Sequence, residues 1–321
     1  MKDHAGKEYH LKSPILFLLF NRPDLTTLSF KKIRDAKPSK LYISVDGPRK
    51  EKKNDIKKIS EVKKIISYVD WPCEVKTLFQ EKNLGCRYAV SEALTWFFKN
   101  EEKGIIMEDD NLPNDDFFIY CDELLNYYQN DNRVLTISGD NWFKGKKYSE
   151  ESYHFSKYFI GWGWATWRRT WNLYDQNLSF WSKWKKSDEW KIMFPDKVER
   201  RYWEKKFDSV SEKNFNSMAY VFTASLWFYS KDGLNITPCV NLVTNIGHGV
   251  DATHTTSLDS RAKIGVEKLN KIIHPKTFKQ NKKADKDLFD VHFGGRDLRM
   301  PFILISFPIR VIRYLIRKIK F

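Results

Sequence analysis

Hydrophobic residues in the first half of the chain occur in short apolar runs separated by longer amphipathic segments. An unbroken apolar run that ends in turn-forming residues is typical of a strand buried on both faces of a sheet, and apolar residues at every third or fourth position predict helices. The predicted strands are 14–20, 41–45, 74–79, 105–107 and 134–138, and helices are predicted to begin near residues 24, 54, 86 and 113. This alternation predicts an α/β fold with a mostly parallel, Rossmann-like central sheet covered by helices on both faces.

Polar residues follow the ends of four of these strands. Because the carboxyl ends of parallel strands share one edge, where open α/β sheets bind their ligands, we expect these side chains to meet there. They are Asn21 and Arg22, Asp46 and Arg49, Asn83 to Arg87, and Glu108-Asp109-Asp110. Acids, arginines and amides at one edge suit a nucleotide, its diphosphate and a divalent metal. The sequence has no Walker A motif and no GxGxxG motif, which disfavours a P-loop NTPase or a dinucleotide enzyme.

Three consecutive acids end the strand at 105–107. Adjacent carboxylates repel one another, so a positive group is expected beside them, and hard oxygen ligands suit Mg²⁺ or Mn²⁺. On this interpretation Asp110 is the metal ligand, while Glu108 and Asp109 face hydroxyls of a bound sugar or ribose. The alternative is a solvated acidic turn before a helix that begins near Pro113, because acids favour helix N-termini.

Six short motifs occur together in one order along the chain. In that order the sequence resembles the GT-A-fold glycosyltransferases, and most of all the N-acetylglucosaminyltransferase I type and related bacterial sugar transferases of surface-polysaccharide clusters. The resemblance covers roughly residues 14–254, and no single motif is specific. The motifs are Asn21-Arg22-Pro23, Ser44-Val45-Asp46-Gly47, Asn83-Leu84-Gly85, Glu108-Asp109-Asp110 with Pro113, Asp116-Phe117-Phe118, and Gly161-Trp162-Gly163-Trp164.

The resemblance implies transfer of a sugar from a UDP-sugar donor to a saccharide or lipid-linked acceptor, with Mn²⁺ or Mg²⁺ as cofactor and inversion favoured over retention. It also implies roles for individual residues. Asn21 and Arg22 would border the uracil and ribose pocket, and Asp46 would accept a hydrogen bond from the uracil ring. Arg49 would belong to the donor site, Arg87 would face the diphosphate, and Asp110 would bind the metal. Glu108 and Asp109 would face the ribose and the donor sugar, and Trp162 would lie near the sugar.

Two parts of this implied mechanism remain open in the sequence. A late loop contains His248 and His254, and His254 is the first candidate to complete the metal shell, although a loop histidine is more often a surface residue. Inverting members of the family need a general base, and Ala219 stands where an acid is expected. The acids that remain as candidates are Asp140 and Asp251, with Asp175 and Asp208 as further possibilities.

The tryptophans after Trp162 have a different predicted role. Trp164, Trp167 and Trp171 are spaced by three and four residues, which predicts the packed face of a helix. They are therefore expected to be mostly core.

The net charge of +15 allows three kinds of partner: nucleic acid, an anionic membrane or a phosphorylated substrate. No zinc-finger, RNA-recognition or helix-turn-helix signature is present, so nucleic acid is not expected. The lysines of segment 50–64 are interpreted as the solvated face of a helix. The other concentration of basic residues lies at the C-terminus.

The segment 301–321 predicts a basic amphipathic helix. Arg310, Arg313, Arg317 and Lys320 fall on one face, and Ile312, Leu315, Ile316 and Ile319 lie largely on the other. Such a helix binds anionic membrane surfaces, and the alternative is a terminal helix docked on the core. No signal peptide is visible, and the four cysteines contain no CxxC pair and are interpreted as reduced thiols. The protein is therefore expected in the cytoplasm, bound peripherally to the inner face of the membrane.

The predicted organisation is a polar extension (1–13), a GT-A glycosyltransferase domain (14–256), a basic linker (257–300) and the amphipathic helix (301–321). Within the domain, 14–140 would bind the nucleotide and 141–256 the acceptor. Two alternatives to a glycosyltransferase remain. One is a non-catalytic nucleotide-sugar-fold binding protein at the membrane. The other is a sugar-1-phosphate nucleotidyltransferase, which would normally carry a Gly-rich loop with a basic residue after the first strand, unlike Asn21-Arg22-Pro23.

Overall fold

The computed structural model describes residues 1, 6–212, 215–247, 264–302 and 304 of the 321-residue chain. The strands in this part of the chain are β1 Ile15–Leu19, β2 Lys40–Val45, β3 Glu74–Phe79, β4 Lys103–Glu108, β5 Asn111–Pro113, β6 Val134–Ser138, β7 Tyr153–Ser156, β8 Trp164–Trp167, β9 Leu234–Pro238 and β10 Val243–Asn245. The helices are α1 Pro23–Ala36, α2 Asn54–Lys63, α3 Cys86–Asn100, α4 Asp115–Tyr127, α5 Arg168–Trp171, α6 Trp181–Trp184, α7 Asp188–Met193, α8 Lys197–Ser211, α9 Met218–Tyr229 and α10 Lys282–His292, with 3₁₀ turns at Lys64–Tyr68 and Arg296–Leu298.

Eight of the strands form one mixed sheet in the order β3-β2-β1-β4-β8-β6-β9-β7. Strands β3, β2, β1 and β4 are parallel, β8 runs antiparallel to both β4 and β6, β9 is parallel to β6, and β7 is antiparallel to β9. The two short strands β5 and β10 form a separate antiparallel pair. The predicted fold class, a Rossmann-like α/β fold with a mostly parallel sheet, is confirmed.

The register of the central strands brings the polar residues that follow them to one edge. Leu18 of β1 is aligned with Ser44 of β2 and with Glu108 of β4. The residues that come directly after these strands therefore emerge side by side. Backbone hydrogen bonds continue past the strand ends, since the N–H of Asp46 donates to Leu19 and that of Asp109 donates to Leu18, both at 3.1 Å.

The element boundaries differ from the sequence prediction around two prolines. Pro113 was expected to open a helix, but it ends β5, and the side chain of Asn114 caps α4 by accepting from the N–H of Phe117 at 3.1 Å. Asp24 was expected to cap α1, but the capping position is Arg22, and Pro23 occupies the first turn. Proline has no N–H to be satisfied there, so the capping position lies two residues earlier than expected.

The tryptophans that follow Trp162 are core residues, as expected, but they do not share a helix. Trp164 and Trp167 lie in strand β8, and Trp171 lies in the one-turn helix α5; all three are buried. The difference arises because β8 pairs with both β4 and β6. Hydrogen bonds to two neighbouring strands outweigh the weak helical preference that a spacing of only three residues indicates.

A second apolar cluster covers the side of the sheet beyond β8. It is built largely from aromatic rings on α6 to α9, and it includes Trp181, Trp184, Trp190, Trp203 and Trp227, all buried. The core of this region is therefore aromatic, whereas the core around β1 and β2 is mostly aliphatic.

The described part of the expected basic linker, 264–300, differs from a linker because it packs on the domain. Leu288 and Phe289 of α10 are buried, and Asp285 accepts from the hydroxyl of Ser156 at 2.5 Å and from the N–H of Lys157 at 3.1 Å. The apolar residues that anchor this segment are widely spaced among lysines, which gives the sequence the composition of a linker.

Both ends of the chain bear on the predicted organisation. Within the expected N-terminal extension, Leu11 is buried and the Tyr9 hydroxyl donates to the buried Asp122 at 2.8 Å, which ties this segment to α4. The expected C-terminal amphipathic helix lies outside the described residues, apart from 301, 302 and 304. Among the helices that the structure describes, none has the length and apolar character needed to cross a membrane.

Candidate functional site

A cavity of about 870 Å³ opens at the carboxyl edge of β1, β2 and β4. Glu108 and Asp109 line it, together with Arg22, Asp46 and Asn21. Five polar residues that the sequence placed at strand ends are thus brought together around one space. The side chains expected to meet at one edge of the sheet do meet there, at the edge where open α/β sheets bind ligands.

The wall beside β2 is built around the carboxylate of Asp46. Its two oxygens accept four hydrogen bonds, from the backbone N–H groups of Gly47, Leu84 and Gly85 and from the side-chain amide of Asn83, at 2.8 to 3.1 Å. Burial raises the pKa of Asp46, and the three backbone N–H groups oppose that shift. Asp46 therefore holds the turn at 83–85 in place, a role different from the contact with a uracil ring that the resemblance implies.

Glycine at position 47 is required by the close approach of that turn. A Cβ there would lie 2.4 Å from the carbonyl carbon of Lys82, closer than any real Cβ contact. The strand end and the turn can therefore pack only with a bare backbone at this point.

A second buried carboxylate, Asp55 at the start of α2, joins two of the predicted site residues. It accepts from the side-chain amide of Asn21 at 2.7 Å, and from the Nε and Nη2 of Arg49 at 2.7 and 2.9 Å. The hydrogen bonds from Arg49 lower the pKa of Asp55 to about 2, against the opposing effect of burial and with further help from Asn21. Asn21 and Arg49 are thereby fixed as one unit on the cavity wall.

Among the described residues, one arginine is bonded to the acid triplet. The guanidinium of Arg22 hydrogen-bonds both carboxylate oxygens of Asp109, and its Nη2 lies 3.0 Å from Oδ2 of Asp110. Arg22 and Asp109 both line the cavity. The positive group that the sequence required beside these acids is therefore present in the protein itself.

The electrostatics of the triplet show an excess of negative charge. Burial raises the pKa of Glu108 first, and the charges of Asp110 and Asp109 raise it further. Burial also raises the pKa of Asp109, although Arg22 opposes this shift. One guanidinium does not balance three carboxylates, so a bound cation or a cluster of hydrogen-bond donors would be stabilised here.

The residues present fit a divalent cation in charge and in ligand type, since carboxylate oxygens suit Mg²⁺ and Mn²⁺. Asp110 does not itself line the cavity, but its Oδ2 lies 3.0 Å from Nη2 of Arg22, which does, and it is the described residue suited to hold the cation. Among the described residues, no group of three or more His, Cys, Asp or Glu side chains is arranged to hold a metal. Further ligands could come from the substrate, from water or from the residues outside the described ranges, where His254 lies.

Several lysines of α2 and of the turn before it line the cavity as well. They are Lys52, Lys53 and Lys58, from the segment interpreted as a solvated helix face. Lys52 and Lys53 are exposed to solvent and Lys58 is half-buried, and all three stand at the mouth of a space whose floor is acidic. The cavity thus has negative and positive regions, and its basic mouth suits phosphate groups.

Other predicted site residues lie elsewhere. Arg87 is buried in α3, and its guanidinium donates to the backbone carbonyls of Val210, at 3.0 Å, and of Gln176. Trp162 packs against Trp142, with 5.2 Å between ring centroids, and it does not line the cavity. Neither placement supports a contact with the donor.

The candidate bases that the structure describes, Asp140, Asp175 and Asp208, do not line the cavity either. Asp140 follows β6 and is fully buried. Asp175 accepts from the N–H of Ser179 at 2.8 Å, and Asp208 accepts from the indole of Trp181 at 2.7 Å. Asp251, His248 and His254 lie outside the described residues, so their predicted roles stay predictions.

Four polar residues of the site were missed in the sequence. Asp55 is surrounded by lysines, and Asn216 sits in a polar segment with no motif, yet both line the cavity. Asn111 and Asn245 both donate to Oδ1 of Asp110 at 3.0 Å. Asn111 directly follows the acid triplet, which is a signal that could have been used; Asn245 becomes a partner only through the pairing of β5 with β10.

No protein-family model and no curated protein matches the sequence. Solved structures with a similar fold include a UDP-glucose pyrophosphorylase complexed with UDP-glucose, 10% identical, covering 71% of this chain and 90% of that chain with a TM-score of 0.37. Another is an inositol-1-phosphate CTP transferase from T. maritima, 9% identical, covering 51% of this chain and 74% of that chain with a TM-score of 0.30. Both are nucleotidyltransferases, the class kept above as an alternative. At these identities and scores the likeness concerns the fold alone.

Proposed function

We propose that this chain is a nucleotide-sugar-dependent glycosyltransferase. It would transfer a sugar from a UDP-sugar to a saccharide or lipid-linked acceptor in the synthesis of bacterial surface glycans. The observation that carries the proposal is the cavity at the carboxyl edge of the sheet, which combines the acids Glu108 and Asp109 with Arg22 and a basic mouth. Such a site can bind ribose and sugar hydroxyls at its floor and phosphate oxygens at its cations.

We assign a role in donor binding to each charged side chain described here. Carboxylates accept hydrogen bonds from hydroxyls, so Glu108 and Asp109 suit the donor's ribose and sugar. Arg22 suits a diphosphate, because a guanidinium binds phosphate oxygens in a bidentate manner. Asp46 and Asp55 keep the walls rigid, which lowers the ordering cost of binding.

The reaction would be an attack by an acceptor hydroxyl on the anomeric carbon of the donor sugar. The new C–O bond forms as the bond between that carbon and the diphosphate breaks, and the hydroxyl proton passes to a base. A Mn²⁺ or Mg²⁺ held at Asp110 would supply positive charge to the departing UDP. Asp251, which lies outside the described residues, remains a proposed base, whereas Asp140 could serve only if its buried carboxylate became accessible to the acceptor. Inversion of the anomeric carbon remains the expected outcome.

A second candidate function is supported by the mouth of the cavity. Lys52, Lys53 and Lys58 line it in addition to Arg49, which is paired with Asp55, and a nucleoside triphosphate could use their charge. This favours a sugar-1-phosphate nucleotidyltransferase. Against it, only three residues separate β1 from α1, and none of them is glycine, so no Gly-rich loop is available there to hold a triphosphate.

Calorimetric titration with UDP, GDP, CMP and UMP, with and without Mn²⁺, tests the proposed site. We expect UDP to bind most tightly, with an affinity that Mn²⁺ raises about tenfold or more in wild type but not in Asp110→Ala. Asp115→Ala is the matched control, because Asp115 is an exposed acid at the start of α4 and its loss should leave binding unchanged.

Activity assays then separate the two enzyme classes. A glycosyltransferase should hydrolyse a UDP-sugar slowly to UDP and free sugar, whereas a nucleotidyltransferase should release pyrophosphate from a nucleoside triphosphate and a sugar 1-phosphate. Pyrophosphate release without UDP-sugar hydrolysis would replace the first function with the second. Absence of nucleotide binding under every metal condition would overturn both.

We also propose that the C-terminal segment attaches the protein to the inner face of the cytoplasmic membrane. Two residues at its start, Phe302 and Leu304, carry exposed apolar side chains. Together with the cationic face of 305–321 in the sequence, they suit an anionic lipid surface. Co-sedimentation with phosphatidylglycerol vesicles, weakened by salt and lost on truncation after residue 300, is the expected result.

A further inference from the structure

The carboxylate of Asp110 is held by two asparagines from a small separate sheet. Asn111 in β5 and Asn245 in β10 are direct partners in the antiparallel pairing of these two strands. The side-chain Nδ2 of each donates to the same atom, Oδ1 of Asp110, at 3.0 Å. Both asparagines are buried.

The orientation of each side-chain amide is determined by backbone groups. Oδ1 of Asn111 accepts from the N–H of Glu108 at 3.1 Å and from the N–H of Gly163 at 2.8 Å. Oδ1 of Asn245 accepts from the N–H of Gly247 at 2.9 Å. A backbone N–H can only donate, so neither amide can turn over without losing these bonds, and both must present NH₂ to Asp110.

The arrangement separates the two oxygens of the Asp110 carboxylate. Oδ1 faces the two amide donors, whereas Oδ2 faces the guanidinium of Arg22. The backbone of Gly247 closes over the same side, because a Cβ at that position would lie 2.1 Å from Oδ2 of Asp110. Rotation of the carboxylate would break the asparagine bonds, and there is no room for a side chain at residue 247.

We infer that Asn111 and Asn245 are positioning residues that lock the Asp110 carboxylate with Oδ2 directed toward the cation of the site. The inference rests on the proposed function for its purpose, since the cation would be Arg22 in the free protein and a metal in the complex with the nucleotide. It also explains why β5 and β10 form a pair apart from the main sheet: the pair brings two amides from distant parts of the chain to one oxygen. Asn111 further links this point to Gly163, in the loop that carries Trp162.

The test uses Asn245→Leu, which keeps the approximate size of the side chain and removes its donor. In calorimetric titration with UDP and Mn²⁺, we expect the dissociation constant to rise about tenfold, with less than a twofold change for UDP in the presence of EDTA. The same substitution in an Asp110→Ala background should have no further effect on binding. Asn235→Leu is the control, because Asn235 is an equally buried asparagine whose partners are Thr136 and Lys157.

A double-mutant cycle on urea unfolding gives a readout that needs no ligand. If the asparagine acts on Asp110, Asn245→Leu should raise the unfolding constant about fivefold more in the chain that keeps Asp110 than in Asp110→Ala. Equal effects in the two backgrounds would overturn the inference. If Asn245→Leu fails to fold, Asn245→Ser replaces it in the cycle, because its smaller side chain cannot clash.

Failure of the inference and failure of the proposed function give different results. If wild type binds no nucleotide, the proposed function is overturned, and the unfolding cycle still decides whether the asparagines hold Asp110. If wild type binds UDP with Mn²⁺ and Asn245→Leu binds equally well, the function stands and the positioning role is overturned.

Discussion

Two groups of buried carboxylates occupy the same edge of the sheet, and they differ in how their charge is balanced. Asp46 and Asp55, on the β2 side, accept hydrogen bonds from backbone amides, from asparagines and from Arg49. The acid triplet, on the β4 side, places three carboxylates around the one guanidinium of Arg22. Apart from the half-buried Glu108, all of these carboxylates are buried, and the two groups differ in how many donors face each acid.

The pKa directions of Asp55 and Glu108 show this difference most clearly, whereas burial raises the pKa of Asp46 despite its three backbone donors. The pKa of Asp55 falls to about 2, because its donors favour the charged form more than burial opposes it. The pKa of Glu108 rises, because burial and two neighbouring acids all oppose its charge. A carboxylate whose partners are complete stabilises the fold, whereas one whose partners are missing is costly unless a ligand supplies them. The first group therefore builds the walls, and the second is the part of the site that needs a ligand.

Among the substitutions that test this comparison, Arg22→Met is expected to lower the free energy of unfolding the most. Removal of the guanidinium leaves Asp109 and Asp110 buried without their cation, and breaking such a pair costs about 3–5 kcal/mol. Urea unfolding at pH 7 should show this loss in the free energy of unfolding. Lowering the pH to 5 should restore part of it, because the acids can then take up protons.

Arg34→Met provides the matched control for that substitution. Arg34 also pairs with an aspartate, Asp70, but both side chains are about half exposed. Exposed pairs contribute about 0–1 kcal/mol, so a much smaller loss is expected. Similar losses for the two variants would show that the triplet is no more dependent on its cation than a surface pair.

Asp55→Asn should have the next largest effect. The amide cannot accept from both Arg49 and Asn21 as the carboxylate does, and we expect a loss of about 2 kcal/mol at pH 7. Because the folded-state pKa is lowered, the stabilising contribution of Asp55 is complete above its ordinary pKa of about 3.9 and is lost as the pH falls toward 2. The difference between wild type and variant in urea unfolding should therefore shrink between pH 4 and pH 2.

The corresponding control is Asp70→Asn, which removes the acid of the exposed pair. Little change in unfolding free energy is expected at any pH. If Asp55→Asn has an equally small effect, the network of Asn21, Asp55 and Arg49 does not stabilise the wall.

The sequence predicted the walls of the site less well than its floor, and the reason is physical. Glu108 to Asp110 stand out because three acids end an apolar run, and the register of parallel strands then brings them beside Arg22. Asp55 does not stand out, because its environment depends on how α2 packs against the end of β1. A lysine-rich composition predicts exposure, and composition carries no information on which lysines border a cavity.

Long-range pairing limited the prediction in the same way. Arg87 follows a strand-end turn in sequence, but it is buried against α8 and bonds the carbonyl of Val210. Asn245 lies 135 positions from Asp110, and only the β5–β10 pairing brings the two together. Local pattern was therefore sufficient for the strands of the sheet and for the edge that carries the site, while partners between distant segments required the folded structure.

The smallest expected change in the free energy of unfolding is that of Glu108→Gln, and it is a gain, whereas the substitutions above cause losses. This difference in sign separates the two groups of acids most directly. Glu108→Gln should raise the unfolding free energy by about 1 kcal/mol at pH 8, because it removes a charge that burial and its neighbours disfavour. A raised folded-state pKa means that the penalty is absent below the ordinary carboxyl pKa of about 4.3 and grows as the pH rises toward the folded value. The gain should therefore vanish near pH 4, where the contribution of Asp55 is still nearly complete.

Glu102→Gln, at an exposed position, should show neither the gain nor its pH dependence. A loss of stability in Glu108→Gln at pH 8 would mean that the triplet is already balanced within the protein and needs no cation from a ligand.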